Sequence, residues 1–412
     1  MVYVDCTSTH AINMLTGIQR VVYNILEKAM LDEEIVKHIQ PIVLSNRGFI
    51  PISKLEPHGY TKLIHSKKNT KKSNKNNLLE PLKLFLRKFP FTYQIIKIFY
   101  FFLKRTFVLY GNTEKSIIFT KEDTLLFLDA TWSMPIWAEV ANAKKNGTKI
   151  IFVIYDLIPI RFPQFCDKRH NDEFSNFFRN SLDFADMYVG ISKTVMQDIV
   201  NFALESKHVR AESIKYDYFY LGSDFSKSIA DSNVRKEMKD FFQDAMPVFL
   251  TVSTIEPRKN HSMILQAFDD LWNKGVDVKL CFIGKVGWKI EEFINIIKAH
   301  KMLGTKFMVF YDANDSELSY AYAHARSLIF ASFAEGFGLP IIESMHYGLP
   351  VLASSLPIHQ EIGGNNIEYF NSNDLEELIS KIIQILQTPK ENVTTSWIDW
   401  QDSTRMLWNK IA

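Results

Sequence analysis

The sequence predicts an α/β protein with two doubly wound parallel sheets. Three observations carry that expectation. Continuous apolar runs of the kind found in buried parallel strands recur along the chain. Segments with helical spacing lie between them. The alternation lapses into a polar, charged stretch over residues 225–246 and then restarts. At 412 residues the chain is long enough for two domains, each with its own core. Hydrophobic residues at 47% and charged residues at 23% exclude a disordered chain.

In order, Met1–Cys6 reads as a short apolar strand. A helix follows, with Ile18, Val21, Val22, Ile25 and Leu26 at helical spacing. Further strands are expected at Ile39–Leu44, Leu125–Leu128, Lys149–Tyr155 and Met187–Ile191. The second half begins with a strand at Pro247–Ser253 and a helix around His261–Lys274. Strands at Val278–Gly284, Phe307–Tyr311 and Ser327–Ala331 continue the rhythm. Ser396–Ala412 reads as a final amphipathic helix. The expected division is an N-terminal domain over 1–224, a linker over 225–246, a C-terminal domain over 247–395 and the terminal helix.

Charge is unevenly placed. Twelve Lys or Arg and one acid, Glu80, lie between Lys62 and Arg105, although the net charge of the whole chain is +2. Within that region, Ser66–Asn77 is polar and low in complexity, and aromatic and aliphatic residues interleaved with cations follow to Arg105. This combination fits peripheral contact with a membrane interface. A helical hairpin covering the N-terminal sheet is the competing reading, and Pro90 interrupts any single long helix there. The region contains no recognisable nucleic-acid module. The start of the sequence has no basic segment leading into an apolar run, and no stretch reaches the ~18 apolar residues that span a bilayer. The expected location is cytoplasmic, with peripheral contact at the inner face of the membrane. Cys6, Cys166 and Cys281 form no CxxC or zinc spacing, and read as buried free thiols.

The most informative segment is Ala334–Gly348, AEGFGLPIIESMHYG. It follows an apolar strand, opens with glycines and begins a helix at Pro340, a residue favoured in the first helical turn. Gly336, Phe337, Gly338 and Leu339 therefore form a turn whose N–H groups, with the helix N-terminus, make an anion site suited to a diphosphate. It lies where ligands bind in open α/β sheets. Glu335 and Glu343 flank the turn; carboxylates beside a diphosphate are suited to accepting from sugar hydroxyls. The alternative is that both are solvated or act as N-terminal helix charges. Earlier in the same unit, Pro257-Arg258-Lys259 follows a strand, which places two cations to neutralise phosphate oxygens.

Together these segments resemble the GT-B glycosyltransferases, specifically the retaining family 4 (group 1), which implies two Rossmann-like domains with a cleft between them. The resembling motifs are the Glu-Gly-Phe-Gly-Leu-Pro loop running to a second Glu, here Glu335 to Glu343, and the Pro257-Arg258-Lys259 loop. Thr16–Arg20, Tyr155–Pro159 and Leu221–Asp224 look like the bacterial mannosyltransferase-type members. The resemblance covers nearly the whole chain apart from about 66–105. It implies that Lys259 binds the donor diphosphate with Arg258 nearby, that Glu335 holds the transferred sugar, assisted by the amides of Gly336–Leu339, and that Glu343 holds the ribose. Gly17 and Ser253 fall at donor-site positions. Many members carry an Arg where Ser253 stands, and a His where Tyr155 stands, which leaves Asp156 as the N-terminal catalytic candidate.

The implied reaction moves a hexose, mannose from GDP-mannose or a hexose from a UDP-sugar, to a glycan or lipid-linked glycan acceptor in surface polysaccharide synthesis (lipopolysaccharide O-antigen, capsule or exopolysaccharide). The anomeric configuration is kept and the departing phosphate helps deprotonate the acceptor. No cofactor is expected, and no metal: the chain contains no Asp-x-Asp, so protein cations and helix N-termini would stabilise the leaving group. The competing readings are another enzyme of the same architecture, such as a nucleotide-sugar epimerase or a phosphorylase, and an inactive glycan-binding scaffold.

Overall fold

The computed structural model describes residues 1–11, 17–53, 55, 115–223, 233–389 and 396–412. The basic segment at 66–105, Thr16 and Asp224 lie outside the described residues. Two sheets are present. The first has the order β3-β2-β1-β4-β5-β6-β7. Its strands are β1 (Val2–Asp5), β2 (Ile39–Ser45), β3 (Gly48–Pro51), β4 (Thr124–Phe127), β5 (Lys149–Ile154), β6 (Met187–Gly190) and β7 (Lys215–Tyr218). All its neighbours are parallel except the β2–β3 hairpin. The described helices on it are α1 (Thr7–Ala11), α2 (Gly17–Leu31), α3 (Trp137–Lys145), α4 (Ile158–Arg161), α5 (Lys168–Phe184) and α6 (Lys193–Glu205).

The second sheet is wholly parallel, in the order β10-β9-β8-β11-β12-β13. It comprises β8 (Val248–Val252), β9 (Lys279–Ile283), β10 (Phe307–Phe310), β11 (Ser327–Phe330), β12 (Val351–Ser354) and β13 (Glu368–Phe370). Its helices are α7 (Lys236–Gln243), α8 (His261–Asn273), α9 (Glu291–Ala299), α10 (Asp315–His324), α11 (Leu339–His346), α12 (Pro357–Gly363) and α13 (Leu375–Gln387). In both sheets the order reverses beside the first strand, β1 or β8, which puts the crevice at the carboxyl ends of the central strands.

The apolar runs explain the central strands. Ile150, Ile151 and Phe152 of β5 are fully buried, as a strand covered on both faces requires. Phe152 stacks on Phe127 of β4, with ring centroids 4.8 Å apart. Helix starts are set by side chains that accept from exposed N–H groups. Asp167 accepts from His170 N, Ser192 from Val195 N, and Asn314 with Glu317 forms a capping box on α10.

Two features differ from the sequence reading. Part of the expected linker is helical: α7 buries Met238, Phe241 and Phe242 against the second unit, because its apolar residues share one face. Helix α11 starts at Leu339, which puts Pro340 one position further in than expected. The terminal helix, α14 (Trp400–Ile411), returns to the first sheet and packs on α2. Arg405 reaches Asp32 at 3.0 Å, and Lys149 Nζ donates to the Ile411 carbonyl at 3.0 Å. Among the described residues no helix is long and apolar enough to cross a membrane. Cys6, Cys166 and Cys281 are buried free thiols.

Among the described residues, hydrogen bonds join the two units on two sides of the cleft. Glu361 of α12 accepts from the Lys193 and Thr194 amides at the start of α6, each at 2.7 Å. Ser192 Oγ donates to the Gly336 carbonyl at 3.3 Å. On another side, Trp288 Nε1 donates to the Phe165 carbonyl at 2.7 Å, and Lys289 Nζ to that of Cys166 at 2.5 Å.

Candidate functional site

The site grows from the ends of β8 and β11, adjacent strands of the second sheet. After β8 the chain makes a 3-10 turn over Pro257–Lys259 and then Asn260 adopts the left-handed conformation (φ 56°). That reversal delivers Arg258 and Lys259 beside the segment following β11. The Phe333 amide donates to the Arg258 carbonyl at 2.9 Å, which ties the two loops together.

Glu335 is the hub. Its Oε1 accepts from Lys259 Nζ at 2.5 Å and its Oε2 from Arg258 Nη1 at 2.9 Å. Arg258 Nη1 also donates to the Ala334 carbonyl at 2.5 Å, and Nη2 to Glu256 at 2.6 Å. All three charged groups are largely buried, Glu335 at 8%, Lys259 at 12% and Arg258 at 16% side-chain exposure. Burial alone would raise the Glu335 carboxyl. The Lys259 ammonium and Arg258 guanidinium outweigh it and hold the carboxyl well below the usual range. Burial, with Arg258 nearby, pulls the Lys259 ammonium down from its ordinary value.

The two cations differ in what they have left to give. Both terminal nitrogens of Arg258 are engaged with Ala334, Glu335 and Glu256, so its planar fork is committed to shaping the loop. Lys259 carries three donors on one nitrogen and directs one at Glu335.

The Gly336–Leu339 turn explains its own composition. A β-carbon on Gly336 would lie 2.1 Å from the Tyr155 carbonyl oxygen, so only glycine lets the two units approach here. Gly338 has φ 124°, a conformation side chains rarely adopt. The Phe337 ring is buried, 6.4 Å from Tyr220 and 6.0 Å from Trp397 by ring centroids, and so anchors the turn between the units. Leu339 then opens α11.

Asp156 follows β5 on the facing unit. It accepts from the Ile158 amide at 3.0 Å, and burial raises its carboxyl despite the neighbouring Arg258 charge. The structure thus gathers Asp156, Arg258, Lys259 and Glu335 at one place. Tyr155, beside it, donates its hydroxyl to the Leu128 carbonyl at 2.7 Å, turned back into the first unit. Burial keeps its phenol protonated.

Glu343 lies a turn along α11 and is buried, not solvated. Its Oε2 accepts from the Tyr322 hydroxyl at 2.5 Å, and burial raises its carboxyl. Ser253 Oγ meets His261 Nε2 at 3.3 Å, and burial pushes this imidazole down to about 3. Gly17 begins α2, with open space where a β-carbon would stand. Glu256 and Tyr322 were missed in the sequence. Glu256 sits two residues before Arg258 and carried a usable signal as a nearby opposite charge; Tyr322 is remote and had none. Among the described residues no group of three or more His, Cys, Asp or Glu is arranged to hold a metal ion.

Residues 234–396 match the family model described as glycosyl transferases group 1. The serotype-specific mannosyltransferase WbdA of Escherichia coli is 28% identical over 307 residues, 72% of this chain and 38% of that protein. O-antigen chain mannosyltransferase B of Escherichia coli is 34% identical over 139 residues, 34% of this chain and 36% of that protein. The chain therefore spans little more than a third of the length of these relatives. Among solved structures, sucrose-phosphate synthase from Thermosynechococcus elongatus superposes with a TM-score of 0.57 at 12% identity, covering 100% of this chain and 94% of that one. Anabaena HepE, in complex with UDP and glucose, gives 0.55 at 12% identity, covering 100% and 95%. These structural likenesses establish the fold, which is GT-B. Through residues 234–396, the chain is similar to the group 1 glycosyl transferases.

Proposed function

We propose that the chain is a retaining glycosyltransferase that moves a mannosyl residue from GDP-mannose to a glycan or lipid-linked glycan during synthesis of a surface polysaccharide such as O-antigen. The observation that carries the reading is the convergence of Lys259 and Arg258 on Glu335 beside the glycine turn that opens α11. The mannosyl donor draws on the relatives, which are mannosyltransferases.

In this reading Lys259 turns its remaining donors to the diphosphate, and the amides of Gly336–Leu339 add the field of the helix N-terminus. Arg258, held by Glu256, positions Glu335. Glu335 accepts from hydroxyls of the transferred sugar, and Glu343, shared with Tyr322, from the ribose. The acceptor oxygen bonds to the anomeric carbon as the carbon–diphosphate bond breaks, and the acceptor proton passes to the departing phosphate oxygen. Tyr155 takes no proton, since its hydroxyl is committed to a backbone carbonyl. The leaving charge falls on Lys259 and the turn amides, with no divalent cation or cofactor required. Residues 66–105 supply contact with the inner face of the membrane.

The test is a thermal-shift series with GDP, UDP, GDP-mannose and UDP-hexoses, each with and without chelator. A ligand that binds only the native state raises Tm by mass action. A rise with GDP-mannose that survives chelator, followed by mannosyl transfer, supports the reading. A rise confined to UDP-sugars overturns the donor, and dependence on a cation overturns the metal-free step.

A further inference from the structure

Helix α12 carries two polar residues that face different ways. Glu361 accepts from amides of the opposite unit, whereas His359 is fully buried and bonds within its own unit. Its Nδ1 lies 2.8 Å from the Ser354 carbonyl at the end of β12. A carbonyl only accepts, so Nδ1 is the nitrogen that carries the proton. The Ser354 hydroxyl donates in turn to the Ser332 carbonyl at 2.6 Å, on the segment leaving β11, and its oxygen lies 3.2 Å from His359 Nδ1. Three residues after Ser332 comes Glu335, the hub of the candidate site. We infer that His359 is a positioning residue: through Ser354 and Ser332 it fixes the segment that presents Glu335 to the donor sugar. The inference rests on the transferase reading and deepens it.

The surroundings hold the ring neutral and in one place. Burial pushes this imidazole down to about 4, although the Glu335 charge acts to raise it, so at neutral pH the ring keeps a single proton. Its centroid lies 5.2 Å from that of Phe330, and Lys259 Nζ lies 5.1 Å from the same Phe330 ring. A β-carbon on Gly338 would stand 3.6 Å from His359 Cδ2, so the ring edge also backs the glycine turn. Nε2 has no hydrogen-bond partner among the described residues. The side chain is therefore tied by Nδ1, and the tie runs toward Glu335.

Two other roles make different demands. Contact with substrate needs an exposed ring atom, and His359 has no exposed surface. Plain packing needs only volume, so it ranks substitutions at 359 by size. Positioning through Nδ1 ranks them by which atom donates. An asparagine places its amide nitrogen near the Nδ1 position, and a glutamine places its own near Nε2, which separates the two readings.

The test uses the full-length chain with His359→Asn, His359→Gln and, as a smaller change at the same link, Ser354→Ala. It reads kcat for GDP release from GDP-mannose with mannotetraose as acceptor, the rise in Tm on adding GDP, and hydrogen–deuterium exchange over Ser332–Glu335. His359→Gln and Ser354→Ala should speed that exchange and lower kcat about tenfold or more, as misplacement of a sugar-holding group does. The GDP response should be kept, because GDP carries no hexose for Glu335 to hold. His359→Asn should recover most of the loss in both readouts. Parent-like exchange and kcat in His359→Gln and Ser354→Ala overturn the inference, as do equal losses with asparagine and glutamine, or recovery by glutamine alone. A parent with neither a GDP response nor turnover would instead strike the transferase reading, and the exchange comparison would still decide whether His359 holds the Glu335 segment.

Discussion

Gly336 lies directly against Tyr155, close enough that a β-carbon on the glycine would stand 2.1 Å from the tyrosine carbonyl oxygen. The contact is backbone to backbone across the cleft, so no side chain can swing away to relieve it. Gly336→Ala should therefore force the turn and the end of β5 apart. Overpacking of this kind costs about 1–3 kcal/mol. The expected outcome is a lower Tm and donor-dependent turnover reduced by roughly a hundredfold, a displacement of under an ångström being enough for that. Wild-type Tm and turnover in this variant would show that the closed contact is dispensable.

Removing the Glu335 carboxylate strands Lys259 in a buried setting and leaves Arg258 with Glu256 as its remaining carboxylate. Breaking a buried ion pair from one side costs about 3–5 kcal/mol. Glu335→Ala should lose stability on that scale in urea unfolding, and Lys259→Met combined with Glu335→Gln should recover part of it. Because the folded carboxyl titrates well below its ordinary 4.5, its contribution is complete above that value and is lost as pH falls below it. Equal stabilities for the single and double variants would mean that the pair is not coupled.

Asp5 behaves in the opposite sense. Burial, reinforced by the Asp129 charge, pushes its carboxyl up to about 7 from 3.8. The folded chain then holds a proton that the unfolded chain releases. Stability from this group is present below pH 3.8 and is lost as pH rises toward 7. At about 1.4 kcal/mol per unit, the swing is on the order of 4 kcal/mol. Asp5→Asn should remove that slope, so its stability relative to wild type should improve from pH 4 to about pH 7 and level off above that in denaturant titrations. A constant difference between the two across that range would place the Asp5 pKa near its ordinary value.

Glu361 accepts from two amides at the start of α6, and it belongs to the opposite unit. A carboxylate at a helix N-terminus is favoured by the dipole and by the unpaired N–H groups. Glu361→Ala should cost about 1–2 kcal/mol and shift the population toward an open cleft. Small-angle scattering without nucleotide should report a larger radius of gyration than wild type, and the KM for donor should rise. Unchanged scattering would assign closure to the other contacts between the units, among them those of Trp288, Lys289 and Gly336.

Much of this was legible in the sequence, for physical reasons that differ by residue. The second sheet announced itself because strands buried on both faces are forced to be continuously apolar, as in Val248–Val252 and Lys279–Ile283. The glycine turn was legible because Gly336 and Gly338 answer to steric demands that no other residue meets. The partners of the site were not. Glu256 and Tyr322 act through folding that brings their side chains to Arg258 and Glu343. Helix α7 was read as linker because its many charges mask an apolar face of only three buried residues. The commitment of Arg258 was equally hidden, since spacing alone does not say which of two adjacent cations points outward.

The return of α14 to the first sheet also bears on how the molecule can move. The passage leaving the first unit and the passage coming back lie side by side. Ser223 N donates to the Ile398 carbonyl at 3.1 Å, Trp397 Nε1 donates to the Leu221 carbonyl at 2.7 Å, and Gly222 abuts the Asp399–Trp400 backbone. Laced where they meet the first unit, the two passages make a strap there rather than a tether. A strap bends readily about one axis and resists twisting, so each opening and closing should bring Asp156 back opposite Glu335 in the same alignment.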